Sequence, residues 1–296
     1  MPRRVPYNPR HPCRNHFPNE TLMGTTYYDS DKARRPLISE FQNIWNNRSL
    51  IRLLVGRDLT VRYKRSILGV WWTFLNPLLT TGVMWVVFGQ FFRFQIPDLP
   101  YIVYLLSGIL LMTYFAQATL AAGSAIVNSA GILTKVYVPA EVFSFSAAAA
   151  AAVNFLISLG ILLFVQLVTG VGIPWTVVLV PIPILAMLAL TAGLGLLIAS
   201  AAVRFFDVID FAGVLIQIIS YLTPTFYPVS IVPEAYLPLI YSNPLYSYLA
   251  VFRAYVYEGV MPPAWNMAYM MLSAIVALAL GVWVFSRSWK SLVVVL

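Results

Sequence analysis

Residues 141–204 read EVFSFSAAAAAAVNFLISLGILLFVQLVTGVGIPWTVVLVPIPILAMLALTAGLGLLIASAAVR. Between Glu141 and Arg204 stand 62 residues without one charged side chain. A single helix crosses a hydrocarbon core about 30 Å thick with roughly 20 apolar residues, so a run this long must fold back on itself. Thr169-Gly170-Val171-Gly172-Ile173-Pro174 is the strong turn signal in its middle. The stretch therefore predicts one span near 141–168 and another near 176–202. The rest of the chain has the same character: 296 residues, 60% hydrophobic and only 10% charged. Soluble domains carry roughly 25% charged residues, which excludes a soluble enzyme and a disordered chain alike. A single cysteine excludes an internal disulfide.

Uncharged runs of 27 residues between Arg65 and Arg93 and 36 between Asp98 and Lys135 predict spans near 70–92 and 101–123. Asp210 to Glu234 holds a fifth span, interrupted by Pro224 and Pro228, and Glu258 to Arg287 a sixth near 264–285. Of the 19 Lys and Arg residues, 13 lie in residues 1–65. With the N-terminus inside, cytoplasmic segments hold 17 basic residues and outer segments only Arg93 and Arg253. That bias predicts a multi-pass plasma-membrane protein with both termini cytoplasmic. The opening Met-Pro-Arg-Arg-Val-Pro lacks an apolar signal core, so the first span is expected to direct insertion. No stretch resembles a nucleic-acid recognition module, and the basic segment reads as the flank of a span held against anionic lipid.

The expected fold class is thus all-α integral membrane: six transmembrane helices with an N-terminal amphipathic interfacial helix and short re-entrant outer helices. Residues 1–36, rich in Pro, Asn and Arg, read as a flexible cytoplasmic tail. His11, Cys13 and His16 lie close together there but offer only three ligands without packing to hold them, so no metal is expected. Residues 37–66, starting from a plausible N-cap at Ser39, interleave Phe41, Ile44, Trp45, Leu50, Ile51, Leu54 and Val55 with Arg48, Arg52, Arg57, Arg62, Lys64 and Arg65. This predicts a helix in the membrane interface, with Asp58 and Arg62 as an i,i+4 pair. Residues 67–290 are expected to form the six-helix transmembrane domain. Within it, Ala147 to Ala152 and the series Thr191, Gly195 and Ala199 are small-residue surfaces for close helix packing. The segment 221–258 carries five prolines, ten aromatics and only three ionisable groups. Too apolar for an aqueous loop and too broken for a clean crossing, it predicts re-entrant helices over about 229–258.

Chemistry is scarce. None of the four lysines follows a glycine, so no phosphate-binding loop of the Gly-x-x-x-x-Gly-Lys-Ser/Thr kind exists. No predicted span centre carries an ionisable side chain, which argues against an ion-coupled transporter. Asp207 and Asp210, near Arg204, are the nearest approach to a catalytic pair, and two acids one turn apart are ordinary on a helix cap.

Particular residues then match a family. Arg57-Asp58-Leu59-Thr60-Val61-Arg62-Tyr63-Lys64-Arg65-Ser66-Ile67-Leu68-Gly69, running into Trp71-Trp72 and Leu75-Asn76-Pro77-Leu78, resembles the entry to the first span in permeases of ABC polysaccharide exporters. Ile132-Leu133-Thr134-Lys135-Val136-Tyr137-Val138-Pro139, Val203-Arg204-Phe205-Phe206-Asp207-Val208, and Tyr221-Leu222-Thr223-Pro224-Thr225-Phe226-Tyr227-Pro228 followed by Asn243-Pro244-Leu245 are similar to the same family in the same order. Such permeases export O-antigen, teichoic acid or galactan, and the wording here is most similar to the galactan branch.

The resemblance implies a homodimer with a pore between protomers and two copies of a separate ATPase subunit, which carries ATP and Mg. This chain itself would hold no cofactor, and the cargo would be an undecaprenyl-pyrophosphate-linked glycan. Leu133, Thr134, Lys135, Val136, Tyr137 and Pro139 match the segment that docks the ATPase, and Arg204 with Asp207 a second cytoplasmic contact. Sugar C–H groups stack on ring faces, which makes Phe74, Trp85, Phe88, Tyr221, Phe226 and Tyr227 candidates for the pore lining; lipid- or core-facing positions suit the same rings. Pro224, Pro228, Asn243 and Pro244 would form the outer gate. Arg62, Lys64 and Arg65 are candidates to receive the lipid pyrophosphate, although attraction to the membrane surface would also place them there. Two other readings share the composition: an ABC permease for a small lipid or drug, and a membrane enzyme of polyprenyl-phosphate chemistry built on Asp207 and Asp210.

Overall fold

A computed structural model describes residues 46–292, apart from Arg65, Asp98, Thr134, Val136 and Tyr137 and the side chains of residues 289–292. The expected tail over 1–36, with His11, Cys13 and His16, lies outside the described residues, as does the start of the 37–66 helix with Ser39. Among the described residues there is no strand, only an isolated bridge between Ile96 and Leu99. The chain is a bundle of helices.

Helix α1 (Arg48–Tyr63) is followed by a turn in which Gly69 adopts a positive φ of 49° and leads into α2 (Trp71–Met84), which a π-helical turn extends to Phe91. Helix α3 (Tyr101–Asn128) follows Pro100; a short turn, α4 (Ala130–Leu133), leads on to α5 (Glu141–Val168). Helix α5 stops where the turn is expected, with Gly170 in the left-handed region at φ 79°. A 3₁₀ turn (Trp175–Leu179) then runs into α6 (Pro181–Ala202), whose proline stands at its first turn where no intrahelical donor is needed. After α7 (Asp207–Leu222) the chain breaks into two 3₁₀ turns and two short helices, α8 (Leu237–Ser242) and α9 (Pro244–Arg253), the latter extended by a π turn to Glu258. Helix α10 (Ala264–Leu292) ends the described chain.

Five of these helices are long and apolar enough to cross a membrane: Trp71–Phe91, Tyr101–Asn128, Glu141–Val168, Trp175–Ala202 and Ala264–Ser288. The fifth expected span is the exception. Helix α7 has 16 residues, about 24 Å of rise against a core of about 30 Å. It stops because Thr223 precedes a proline and takes the extended conformation that position favours (ψ 133°).

The centre of the bundle is α3, buried along most of its length against α5, α6, α7 and α9. Its neighbours meet it through the small residues: Ala122, Ala148 and Ala192 form one cluster where α3, α5 and α6 cross. Helices α6 and α10 come closer still. A Cβ on Gly193 would land on the Ala277 carbonyl, and one on Gly281 on the Gly193 carbonyl, so these backbones touch with no side chain between them. By contrast, α2 buries only Thr73, Pro77 and Thr81, and α7 only Ala212 and Ile216. Leu79, Val83, Phe211, Val214 and Ile218 on these two helices are all more than half exposed.

Helix α1 packs along α5, with Leu54 against Val142 and Phe143 at one end and the Tyr63 hydroxyl on Asn154 at the other. The expected Asp58–Arg62 pair is not formed. Asp58 is held by its neighbour Arg57 at 2.8 Å, and Arg62 turns instead to the side chain of Gln117 on α3, at 3.3 Å.

Candidate functional site

The break after α7 is built around one buried cation. Arg253, at the end of α9, is 6% exposed and has no carboxylate partner within ion-pair distance among the described residues. Its guanidinium donates to the carbonyls of Pro224 (3.1 Å), Tyr104 (3.2 Å) and Thr225 (3.4 Å) and to the Ser107 hydroxyl (3.3 Å). It also lies over the Tyr104 ring, 3.6 Å from the centroid. Carbonyls just past a helix C-terminus carry the negative end of its dipole, which is where a cation is stabilised. Gly108 keeps room for the group, since a Cβ there would meet Arg253 Nη2 at 3.0 Å and the Thr225 methyl at 2.8 Å. Glu258 follows one turn later; desolvation raises its carboxyl above the usual range, and the charge of Arg253 draws it partly back.

Tyrosines on α3 secure the same break. The Tyr104 hydroxyl donates to the carbonyls of Pro224 (3.1 Å) and Tyr227 (2.8 Å), and the Tyr101 hydroxyl to that of Phe226. Asn243 closes it from below. Its Oδ1 caps α9 through the Leu245 amide at 3.1 Å, while Nδ2 reaches the Thr223 hydroxyl at 2.8 Å and the Ile219 carbonyl at 3.4 Å. Pro244 takes the first helical position behind it. Pro228 precedes the first 3₁₀ turn. Helix α9 is buried in the main core through Leu245, Tyr248, Leu249, Val251 and Phe252, and Thr223, Pro224 and Thr225 are buried beside it, whereas most of residues 230–242 is exposed. Asn243→Ala is expected to lower stability by about 1–2 kcal/mol, the loss of an N-cap plus a buried hydrogen bond. Unfolding of the detergent-purified chain measures it; an unchanged midpoint would remove Asn243 from this arrangement.

The break presents aromatic rings to one side. Phe88 stacks on Phe226 and Phe94, at 5.9 Å in each case, and Phe226 meets Tyr221 at 6.4 Å. Tyr221 is 59% exposed. Three of the six candidate pore rings thus gather in one place. Phe74 instead packs edge-on to Trp71 and against the core, Trp85 stands apart on the outer face of α2, and the Tyr227 hydroxyl turns back to the Leu222 carbonyl. Below the rings a cavity of about 280 Å³ opens between α2, α3 and α7; Thr80, Thr113, Gln217, Ser220, Tyr221 and Thr225 are its polar residues, and no Asp, Glu, Lys, Arg or His is on its wall among the described residues.

At the other end of α2, the Tyr63 hydroxyl and the Thr73 hydroxyl are 2.7 Å apart, and both reach Asn154 Oδ1, at 2.5 and 3.3 Å. This triad seats the end of α1 and the start of α2 on α5. Of the cations expected at the lipid pyrophosphate, Arg62 stands beside it and Lys64 is exposed at the helix end; Arg65 lies outside the described residues.

In the segment expected to dock an ATPase, Leu133 packs inward toward Leu54, Val142 and Phe143, Lys135 is exposed, and Pro139 is half-buried. Thr134, Val136 and Tyr137 lie outside the described residues. The exposed apolar side chain of this turn is Ile132. In the segment expected to make a second cytoplasmic contact, Arg204 and Asp207 are exposed, beside Phe205 and Phe206, each 68% exposed. Asp207 and Asp210 occupy the first turn of α7, the positive end of its dipole, where acids are ordinary stabilisers.

The sequence reading passed over Arg253 and over Tyr63, Thr73, Asn154 and Gln117. The signal for Arg253 was available: it is the lone cation in a long apolar, aromatic segment, and such a group must find buried partners. The others are neutral side chains, and only their convergence in space marks them.

A family model described as ABC-2 type transporter matches residues 49–257. The chain is similar to the O-antigen export system permease protein RfbA of Myxococcus xanthus, 32% identical over 230 residues that cover 77% of this chain and 88% of that protein. It is also similar to the Klebsiella pneumoniae protein of the same name, 28% identical over 72% of this chain and 82% of the other. The capsule polysaccharide export inner-membrane protein CtrC of Neisseria meningitidis is 24% identical over 85% of this chain and 96% of its own length.

Proposed function

The chain belongs to the ABC-2 type transporter family, as a polysaccharide-export permease among its members, and from that premise we propose that it moves an undecaprenyl-linked polysaccharide outward across the plasma membrane. Family membership implies partnership with an ABC ATPase. In this reading two copies of the chain form a pore between them, two ATPase subunits bind ATP and Mg on the cytoplasmic side, and both termini are cytoplasmic. The segment 133–139 docks the ATPase, with Arg204 and Asp207 as a second contact. Helix α7 and the break after it complete the sixth crossing, and α8 and α9 are the re-entrant elements of an outer gate at Pro224, Pro228, Asn243 and Pro244. Arg62, Lys64 and Arg65 receive the lipid pyrophosphate. Among polymers, the sequence resemblance favours galactan.

The observation that carries this reading is the uncharged groove between α2 and α7, topped by Phe88, Phe226 and Tyr221. A long neutral glycan needs hydroxyl and ring surfaces to slide over rather than fixed charges, and a ring face suits the C–H side of a sugar. The apolar faces of α2 and α7 on either side of the groove are unpartnered within one protomer. A second copy would cover them.

Depletion of the chain in its own host tests the proposal. Surface polysaccharide should fall while polyprenyl-linked glycan accumulates inside, and sugar analysis of that pool tests galactan. Phe226→Ala should slow export severalfold with the amount of chain in the membrane unchanged. If depletion leaves both glycan pools as they were, the chain does not export polysaccharide.

A further inference from the structure

Beside the Tyr63–Thr73–Asn154 triad lies a second cavity, of about 200 Å³, enclosed within one protomer by the end of α1, the start of α2, and the facing sides of α3 and α5. Its wall is unusual for a membrane bundle. Asn76, Thr113, Tyr114, Gln117, Asn154 and Ser158 supply amide and hydroxyl groups; among the described residues no acid lines it and its one cation is Arg62, on the exposed side of α1. Uncharged polar side chains in the interior of a membrane protein cost free energy unless something answers their hydrogen bonds. Two of them, on Tyr114 and Asn154, carry the argument. The Tyr114 hydroxyl is buried, its residue 3% exposed, and has no partner. Asn154 accepts two hydrogen bonds through Oδ1, while its Nδ2 has none to any described residue. The aromatic part of the wall is Trp72, half of it exposed, together with Phe155, which stacks on Tyr114 at 4.9 Å.

Amides and hydroxyls around a ring face, without a carboxylate, are the donor set that recognises an uncharged sugar: amides bridge neighbouring hydroxyls, and an aromatic face takes the C–H side. A guanidinium at the mouth suits a phosphate held just outside. We propose that this cavity is a binding site for the sugar ring adjoining the phosphate of the lipid-linked glycan, with the phosphate at Arg62. The proposal rests on the export reading and deepens it by naming what each protomer recognises. Thr113 lines both this cavity and the groove between α2 and α7, so a ring leaving the site enters the groove beside it. Recognition of the first sugar is thereby separate from the sliding surface, which must accept every later sugar of the chain.

Tyr114→Phe is the test, because the hydroxyl it removes supports nothing in the protein and the fold loses no hydrogen bond. Asn76→Ala is a second variant, at an exposed residue of the wall. The permease–ATPase complex in nanodiscs is titrated with three probes: farnesyl diphosphate bearing one N-acetylhexosamine, farnesyl diphosphate itself, and the free N-acetylhexosamine. Wild type should bind the sugar-bearing probe more tightly than either of the others. Tyr114→Phe should weaken it by about tenfold while leaving farnesyl diphosphate unchanged and the unfolding midpoint equal or higher. Should the sugar-bearing and sugarless probes bind wild type equally, or both variants bind the sugar-bearing probe as wild type does, the cavity is not a sugar site although the export reading stands. Free sugar binding as tightly as the lipid-linked probe would assign the cavity to soluble sugar and overturn the proposal. Failure of both lipid probes to bind wild type would overturn the lipid-linked cargo and this site with it.

Discussion

Arg253→Ala is expected to be the most damaging single change at the break after α7. It removes four hydrogen bonds, to the carbonyls of Tyr104, Pro224 and Thr225 and to the Ser107 hydroxyl, although Pro224 keeps the Tyr104 hydroxyl and the Tyr104 carbonyl keeps the Ser107 hydroxyl. A hydrogen bond to a charged group is worth roughly 1.5–3 kcal/mol, and the Thr225 carbonyl is left buried with no other donor among the described residues, so a loss of about 3 kcal/mol or more is expected. The ring of Tyr104 loses its cation as well. Arg253→Lys should recover only part, because an ammonium cannot spread its donors over three carbonyls as the planar guanidinium does. Unfolding in detergent gives the magnitude. Protease access to residues 223–228, or thiol-reagent labelling of a cysteine introduced there by Thr225→Cys, tells whether the break has come loose before the bundle melts. An Arg253→Ala chain with the wild-type midpoint and an equally protected break would show that the tyrosines alone hold this region.

The second large effect is expected where α6 and α10 touch. Gly193→Ala or Gly281→Ala places a methyl group against the backbone of the opposite helix, where no rotamer can relieve it, so the two helices must move apart. Overpacking of this kind costs about 1–3 kcal/mol when a side chain can yield and more when only backbone can. The amount of folded chain in the membrane should fall sharply. Gly160→Ala on α5 is the control: nothing lies within 4 Å of a Cβ there, and the change should be neutral or slightly stabilising. If the Gly193 and Gly281 variants accumulate and melt like the Gly160 variant, the helices do not pack as closely as described.

The two sites differ in how far the sequence revealed them. The small residues of α6 were legible as a packing surface from Thr191, Gly195 and Ala199, and all three are buried or in close contact, Gly195 directly against Ala122. Gly193 and Gly281 were not, because their role depends on two helices distant in the chain crossing at one point. The break after α7 was legible from Pro224 and Pro228, since a proline ends a helix by its own ring and the residue before it turns extended. That Arg253 reaches back to that break was not, although its isolation among apolar residues was visible.

What the sequence determined by itself is what local chemistry dictates: an all-helical membrane chain, the extents of its long apolar helices, the turn at residues 169–174, and the irregular stretch after residue 222. Uncharged length, glycine and proline act on the backbone wherever they stand, so these features need no partner. Tertiary structure alone decided which polar groups meet: Arg253 on the carbonyls of Tyr104, Pro224 and Thr225, Tyr63 and Thr73 on Asn154, Arg62 on Gln117 rather than Asp58, and the hydroxyl of Tyr114 buried without a partner beside a cavity. A hydrogen bond is short and directional, and its partner is chosen by how helices far apart in the chain are packed, which no spacing along the chain encodes.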